Sequence, residues 1–96
     1  LDTECYNLIE AKLERWAADA AVAAIVIHTR NERAFCAGGD VKNLILKTRE
    51  NGLSYAKEFF TQEYFIDHWI HQFQKPIIVF ADGITMGAGA GLMNGA

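Results

Sequence analysis

The chain has 96 residues, about half of them hydrophobic (51%), and a net charge of −3, values that fit one small globular domain rather than a disordered or fibrous segment. No basic stripe argues for nucleic acid and no apolar run is long enough to span a membrane, so neither is an expected partner. The first residues, Leu1-Asp2-Thr3-Glu4, lack the basic-then-apolar order of a secretory signal, and Cys5 and Cys36 are too far apart for a Cys-x-x-Cys motif; reduced thiols in an intracellular protein are the expectation.

Asp2 or Thr3 can cap a first helix running to about Ala18, with Leu8, Ile9, Leu13, Trp16 and Ala20 at helical spacing. Residues 23–29, Ala-Ala-Ile-Val-Ile-His-Thr, then predict a strand. Its apolar residues are consecutive rather than alternate, which suits a parallel strand covered on both faces. His28, at the strand end, is expected to be a packed histidine rather than a base. Residues 30–40 predict a loop, 41–47 a short helix, and Asn51-Gly52 a turn.

A longer helix is predicted from about Ser54 to Phe73, ended by Lys75-Pro76 because the residue before proline avoids helical geometry. Wound at about 100° per residue, it gathers Tyr55, Ala56, Phe59, Ile66, Ile70 and Phe73 on one arc, with Glu63 in the middle and Lys57, Thr61, His68 and Gln72 opposite. A carboxylate on an apolar arc has a raised pKa unless it is paired. Glu63 is therefore a candidate site residue, with a structural hydrogen bond as the alternative. Asp67 and His71 share a helix face at i, i+4, but no further cluster completes a metal site, so a solvated or inter-element polar face is expected and no metal is assigned.

A second strand, 76–82, leads into Gly83-Ile84-Thr85-Met86-Gly87-Ala88-Gly89-Ala90-Gly91 and a helix starting at about Ala88. A glycine-rich turn between a strand and a helix aims unpaired N–H groups at one point, where an anion or a developing oxyanion can bind. Close packing of two elements is the alternative. The stretch Arg33-Ala34-Phe35-Cys36-Ala37-Gly38-Gly39-Asp40 is a second such loop. If the two strands are parallel neighbours, both loops emerge at one sheet edge and each can give an N–H to a single oxygen. Asp40, at a helix start, is expected to be a cap. The spacing Gly-x-Gly-x-Gly departs from the dinucleotide fingerprint, and no Gly-Lys-Ser/Thr is present, so nucleotide binding is the weaker alternative. The element order is α/β. Two strands make no stable sheet alone and would leave apolar faces uncovered.

With both loops in view, the chain resembles the enoyl-CoA hydratase/isomerase (crotonase) superfamily. The matching pieces are Trp16-Ala17-Ala18-Asp19, Ile25-Val26-Ile27, residues 33–40, Lys75-Pro76-Ile77-Ile78 and residues 83–89. The resemblance implies a spiral of ββα turns, of which residues 1–96 would be an incomplete N-terminal part, truncated at both ends. It implies an acyl-CoA thioester substrate, with CoA as part of the substrate and no separate cofactor. By position it makes the backbone N–H groups of Ala37 and Ala88 the oxyanion donors, with Gly38 and Gly87 beside them, although the family more often has glycine where Ala88 stands. Within the superfamily, Glu63-Tyr64 and the run from Gly83 to Leu92 resemble the 3-hydroxyisobutyryl-CoA hydrolase branch, which implies a substrate-contacting Glu63 and a role in valine breakdown. Typical hydratases carry a glutamate at the position of Gly91, so water addition by a glutamate pair is not expected. In the hydrolase branch the acid/base residues lie further along, beyond Ala96. An enoyl-CoA hydratase or isomerase, and a non-catalytic acyl-CoA-binding or assembly subunit, are the alternatives. A cytoplasmic location is expected, or the mitochondrial matrix in a eukaryote, and a homo-oligomer is among the open options.

Overall fold

A computed structural model describes all of residues 1–96. Helix α1 (Thr3–Ala18) is followed by strands β1 (Ile25–Ile27) and β2 (Ala34–Cys36), helices α2 (Val41–Asn51) and α3 (Leu53–Gln72), strands β3 (Ile77–Val79) and β4 (Ile84–Thr85), and helix α4 (Ala88–Gly95).

Capping chemistry sets the helix starts. The Asp2 carboxylate accepts from the Cys5 N–H at 2.8 Å, and Asp40 accepts from the Asn43 N–H at 3.0 Å, so each satisfies a first-turn donor. At the other end of α1, Lys75 donates through Nζ to the carbonyls of Trp16 and Asp19, both at 2.6 Å. Its charge thus sits at the negative helix terminus. Gly52, at φ 84°, flanks both α2 and α3; a left-handed backbone there turns the chain without the Cβ clash another residue would meet. Helix α2 runs past the expected end at Lys47 to Asn51, because nothing before Gly52 stops it.

The strands pair across long sequence separations. β1 and β3 are parallel, with Ile25, Val26 and Ile27 opposite Ile77, Ile78 and Val79. β2 and β4 form a second parallel pair with an irregularity between Ala34 and Cys36. The region 30–40 is therefore not all loop: it holds β2, whose partner β4 lies inside the glycine-rich stretch 83–91. The predicted strands at 23–29 and 76–82 shorten to three residues each.

The core gathers Tyr6 and Leu13 of α1, Ile25 of β1, Phe59, Ile66 and Ile70 of α3, Ile77 of β3 and Leu92 of α4. Only 10 of 96 residues are buried, and the sheet shows why. Ile25 and Ile77 turn into the core, while Val26 is 50% and Ile78 is 48% exposed. One face of the β1–β3 pair is covered by the chain's helices and the other is open, so the consecutive apolar pattern describes a strand covered here on one side only. His28, expected to be packed, is exposed at the end of this sheet.

Candidate functional site

The two glycine loops meet. Loop 37–40 leaves β2 with Gly38 at φ 124°, and the 86–88 turn leaves β4 with Gly87 at φ 53°. Both conformations are open to glycine and costly for other residues. A Cβ on Gly87 would lie 3.5 Å from the Gly38 Cα, and one on Gly38 would lie 3.7 Å from the Met86 carbonyl and 4.0 Å from the Ala88 nitrogen. Leu1 ties the first loop down: its nitrogen donates to the Gly38 carbonyl at 2.8 Å, and its carbonyl accepts from the Asp40 N–H at 2.7 Å. Asp40 is a cap, as its place in the sequence predicts.

Ala37 and Ala88 flank this contact. Ala37 directly follows β2, and Ala88 is the first residue of α4, where an N–H has no acceptor within its own helix. The Ala88 methyl is packed inside, at 6% exposure. Gly89 is held against β2, since a Cβ there would overlap the Cys36 carbonyl and stand 2.7 Å from the Cys36 Cβ. The glycine therefore brings the start of α4 against the first loop, a close approach only a residue without a side chain permits.

Across from the loops runs α3. Phe59, Ile66 and Ile70 are buried and Tyr55, Ala56 and Phe73 half-buried, while Lys57, Thr61, His68 and Gln72 are exposed, which is the arc the sequence predicts. Glu63 is half-buried on that arc and lines a cavity of about 380 Å³ together with Gly39, Phe59, Asp67, Gly87, Ala88 and Gly91. Ala37 and Gly38 are not among the residues that line it.

Asp67 enters the site from the same helix as Glu63. Paired in the sequence with His71, it reads as part of a polar face, but the structure separates the two: Asp67 lines the cavity and His71 is exposed. No group of three or more His, Cys, Asp or Glu side chains converges on a possible metal position. Asp67 lies one helical turn from Glu63, on the same face. Its carboxylate covers Gly91, where a Cβ would come within 2.8 Å of Oδ2 and 3.3 Å of Oδ1. Two signals in the sequence point to it: the i, i+4 spacing from Glu63, and a missing side chain at position 91.

Burial sets the electrostatics. The Glu63 carboxyl titrates above its ordinary range because of desolvation first and the Asp67 charge second. Desolvation also raises Asp67. Behind them Tyr6, fully buried, has a hydroxyl with no hydrogen-bond partner. Its acidity is suppressed by burial and then by the negative charges of Glu63 and Asp67. Gly39, Gly87 and Ala88 of the two glycine loops thus share one cavity wall with two carboxyls whose pKa is raised by burial. The arrangement suits a ligand whose polar atom is held by backbone donors next to acidic side chains.

Comparison with known proteins agrees with this architecture. The whole chain, residues 1–96, matches the family described as enoyl-CoA hydratase/isomerase. Among curated relatives, 3-hydroxyisobutyryl-CoA hydrolase, mitochondrial, of Danio rerio is 37% identical over 84 residues, covering 88% of this chain and 22% of that protein. The small ribosomal subunit protein mS47 of Neurospora crassa is 40% identical over 86 residues, covering 88% of this chain and 17% of that protein. Among solved structures, an enoyl-CoA hydratase from Rhodobacter sphaeroides 2.4.1 superposes with a TM-score of 0.90 at 36% identity, covering 96% of this chain and 27% of that one. The chain thus spans about a fifth of the length of these curated relatives. With its fold, its two loops and its full length matched, the chain belongs to the enoyl-CoA hydratase/isomerase (crotonase) family.

Proposed function

We propose that the protein hydrolyses the thioester of a short β-hydroxyacyl-CoA such as 3-hydroxyisobutyryl-CoA. The observation that carries this is the cavity beside the joined glycine loops: Gly91 offers no catalytic side chain from α4, while Glu63 faces the same space from α3. Likeness to the zebrafish protein named 3-hydroxyisobutyryl-CoA hydrolase supports the choice of acyl group.

In this scheme the Ala37 and Ala88 N–H groups receive the thioester carbonyl oxygen, with Gly38 and Gly87 letting the two loops approach. A water oxygen bonds to the carbonyl carbon, and the C=O electron pair moves onto the oxygen held by the two donors. Its return breaks the C–S bond. The water proton passes to an acid/base residue beyond Ala96, and CoA leaves as the thiol. Removing one such donor costs on the order of 3 kcal/mol of transition-state stabilisation. Glu63 contacts the acyl group or the reaction centre.

The test is release of free CoA from 3-hydroxyisobutyryl-CoA by the full-length protein. Hydration of crotonyl-CoA with the thioester intact would instead select an enoyl-CoA hydratase or isomerase. The likeness to a small ribosomal subunit protein favours a second scheme, a non-catalytic acyl-CoA-binding or assembly subunit. Binding of acyl-CoA without turnover of any kind would select that one. No helix is long and apolar enough to cross a membrane, and mitochondrial placement is carried over as a proposal from the relatives' names.

A further inference from the structure

Asp67 has features that a packing role does not explain. It lies on the cavity wall between Glu63 and Gly91. Its Oδ1 is shut off from solvent and accepts no hydrogen bond from any residue of the chain. The residue as a whole keeps partial exposure, so Oδ2 is the carboxylate oxygen left for a ligand in the cavity. A carboxylate set in an apolar wall gains by accepting a hydrogen bond from whatever fills the space. The position is also built for it. Oδ2 comes within 2.8 Å of where a Cβ of residue 91 would be, so any side chain there would displace the carboxylate. The remainder of the wall is aromatic, glycine or alanine apart from Glu63 and a few aliphatic residues, with no Lys, Arg or His to take Asp67 as an ion-pair partner.

We propose that Asp67 is a specificity-determining residue, accepting through Oδ2 a hydrogen bond from a hydroxyl on the acyl chain, with Gly91 kept bare so that the carboxylate can lie there. The substrate class that follows is a hydroxylated short acyl-CoA, and a purely aliphatic acyl group of the same size leaves the carboxylate unpaired. This deepens the proposed thioester function and rests on the cavity being its acyl site. A site built to bind a substrate hydroxyl discriminates strongly against the analogue lacking it, for the same reason that an orphaned buried polar group is costly.

The experiment separates binding from catalysis. Two ketone analogues, in which a methylene replaces the thioester sulfur, are titrated calorimetrically into the full-length protein: one of 3-hydroxyisobutyryl-CoA, the other of isobutyryl-CoA. The natural protein is expected to bind the hydroxylated analogue about ten- to a hundredfold more tightly, the scale of one hydrogen bond to a charged group. Asp67→Ala should bind both alike, losing the preference by weakening only the hydroxylated ligand. Asp67→Asn, nearly the same shape, serves if the alanine variant does not fold, and should lose at least about threefold of the preference because its acceptor is neutral. Equal binding of the two analogues by the natural protein, binding of neither, or a preference unchanged in the variants would overturn the assignment. Failure to release CoA from the true thioester, with the binding preference intact, would remove the hydrolase function and leave the role of Asp67 standing.

Discussion

The carbonyl of Cys36 occupies the space a Cβ of Gly89 would need, and this close approach seats the start of α4 against the end of β2. Because the obstruction is backbone and not a flexible side-chain end, it cannot turn aside. Gly89→Ala should therefore destabilise the fold by about 1–3 kcal/mol, the usual range for overpacking, and separate the loops. The urea midpoint of the full-length variant measures the first effect. An unshifted midpoint would mean that the loops part easily and that their contact is not structural.

Ala88 permits a test of the donor alone. As the first residue of α4 it occupies a position where proline is well tolerated, so Ala88→Pro removes the N–H while leaving the helix able to form. Turnover should fall by about a hundredfold or more in a protein whose circular dichroism is unchanged. Normal turnover in such a folded variant would exclude Ala88 as a donor.

Both acidic residues of the cavity titrate above their ordinary values, and the sign of the consequence is definite. A carboxyl whose folded-state pKa is raised binds its proton more tightly folded than unfolded. Its contribution to stability is fully present below the unfolded value, near 4.5 for Glu63 and 3.8 for Asp67. It is lost as the pH rises through the raised folded values. Stability should accordingly decline over a window that begins near pH 4, and the decline should be shallower in Glu63→Gln/Asp67→Asn. Denaturant midpoints across that range are the measurement; identical slopes would show that neither carboxyl is perturbed. In the full-length protein, under the proposed thioester function, Glu63→Gln by itself should lower turnover far more than stability, and a large stability loss with normal turnover would make Glu63 structural.

Lys75 offers a control remote from the cavity. Its two bonds to the end of α1 are partly solvent-screened, and Lys75→Met should cost about 1 kcal/mol, read as a lower melting temperature with acyl-CoA turnover unchanged.

Local chemistry explains what could be read in advance from the residues. Asp2 and Asp40 are short acceptors before helical periods, Gly52 breaks one helix from the next, and the apolar arc of α3 repeats every turn; each is a signal contained in a few neighbouring residues. β2 and β4 have no such signal. Strands of three and two residues are defined by pairing across some fifty positions, Ala34 with Ile84, and that pairing leaves no local period. Asp67 was hidden for a different reason. Its spacing to His71 and its spacing to Glu63 are the same, and only the packing of α4 shows which neighbour shares its surroundings. Gly91 held the clue, since a bare Cα facing a helix leaves room for a side chain from that helix.

Helix α3 brings Glu63 and Asp67 to the cavity on one rod, about 6 Å apart along its axis. Their mutual spacing is thus nearly fixed, whereas their distance from the loop N–H groups depends on how α3 rests on α4. A slide or tilt of α3 about Gly52 would carry both acids together, changing the depth of the cavity without disturbing the alignment of one carboxyl to the other. The α3–α4 contact alone would then set how large a ligand the cavity admits.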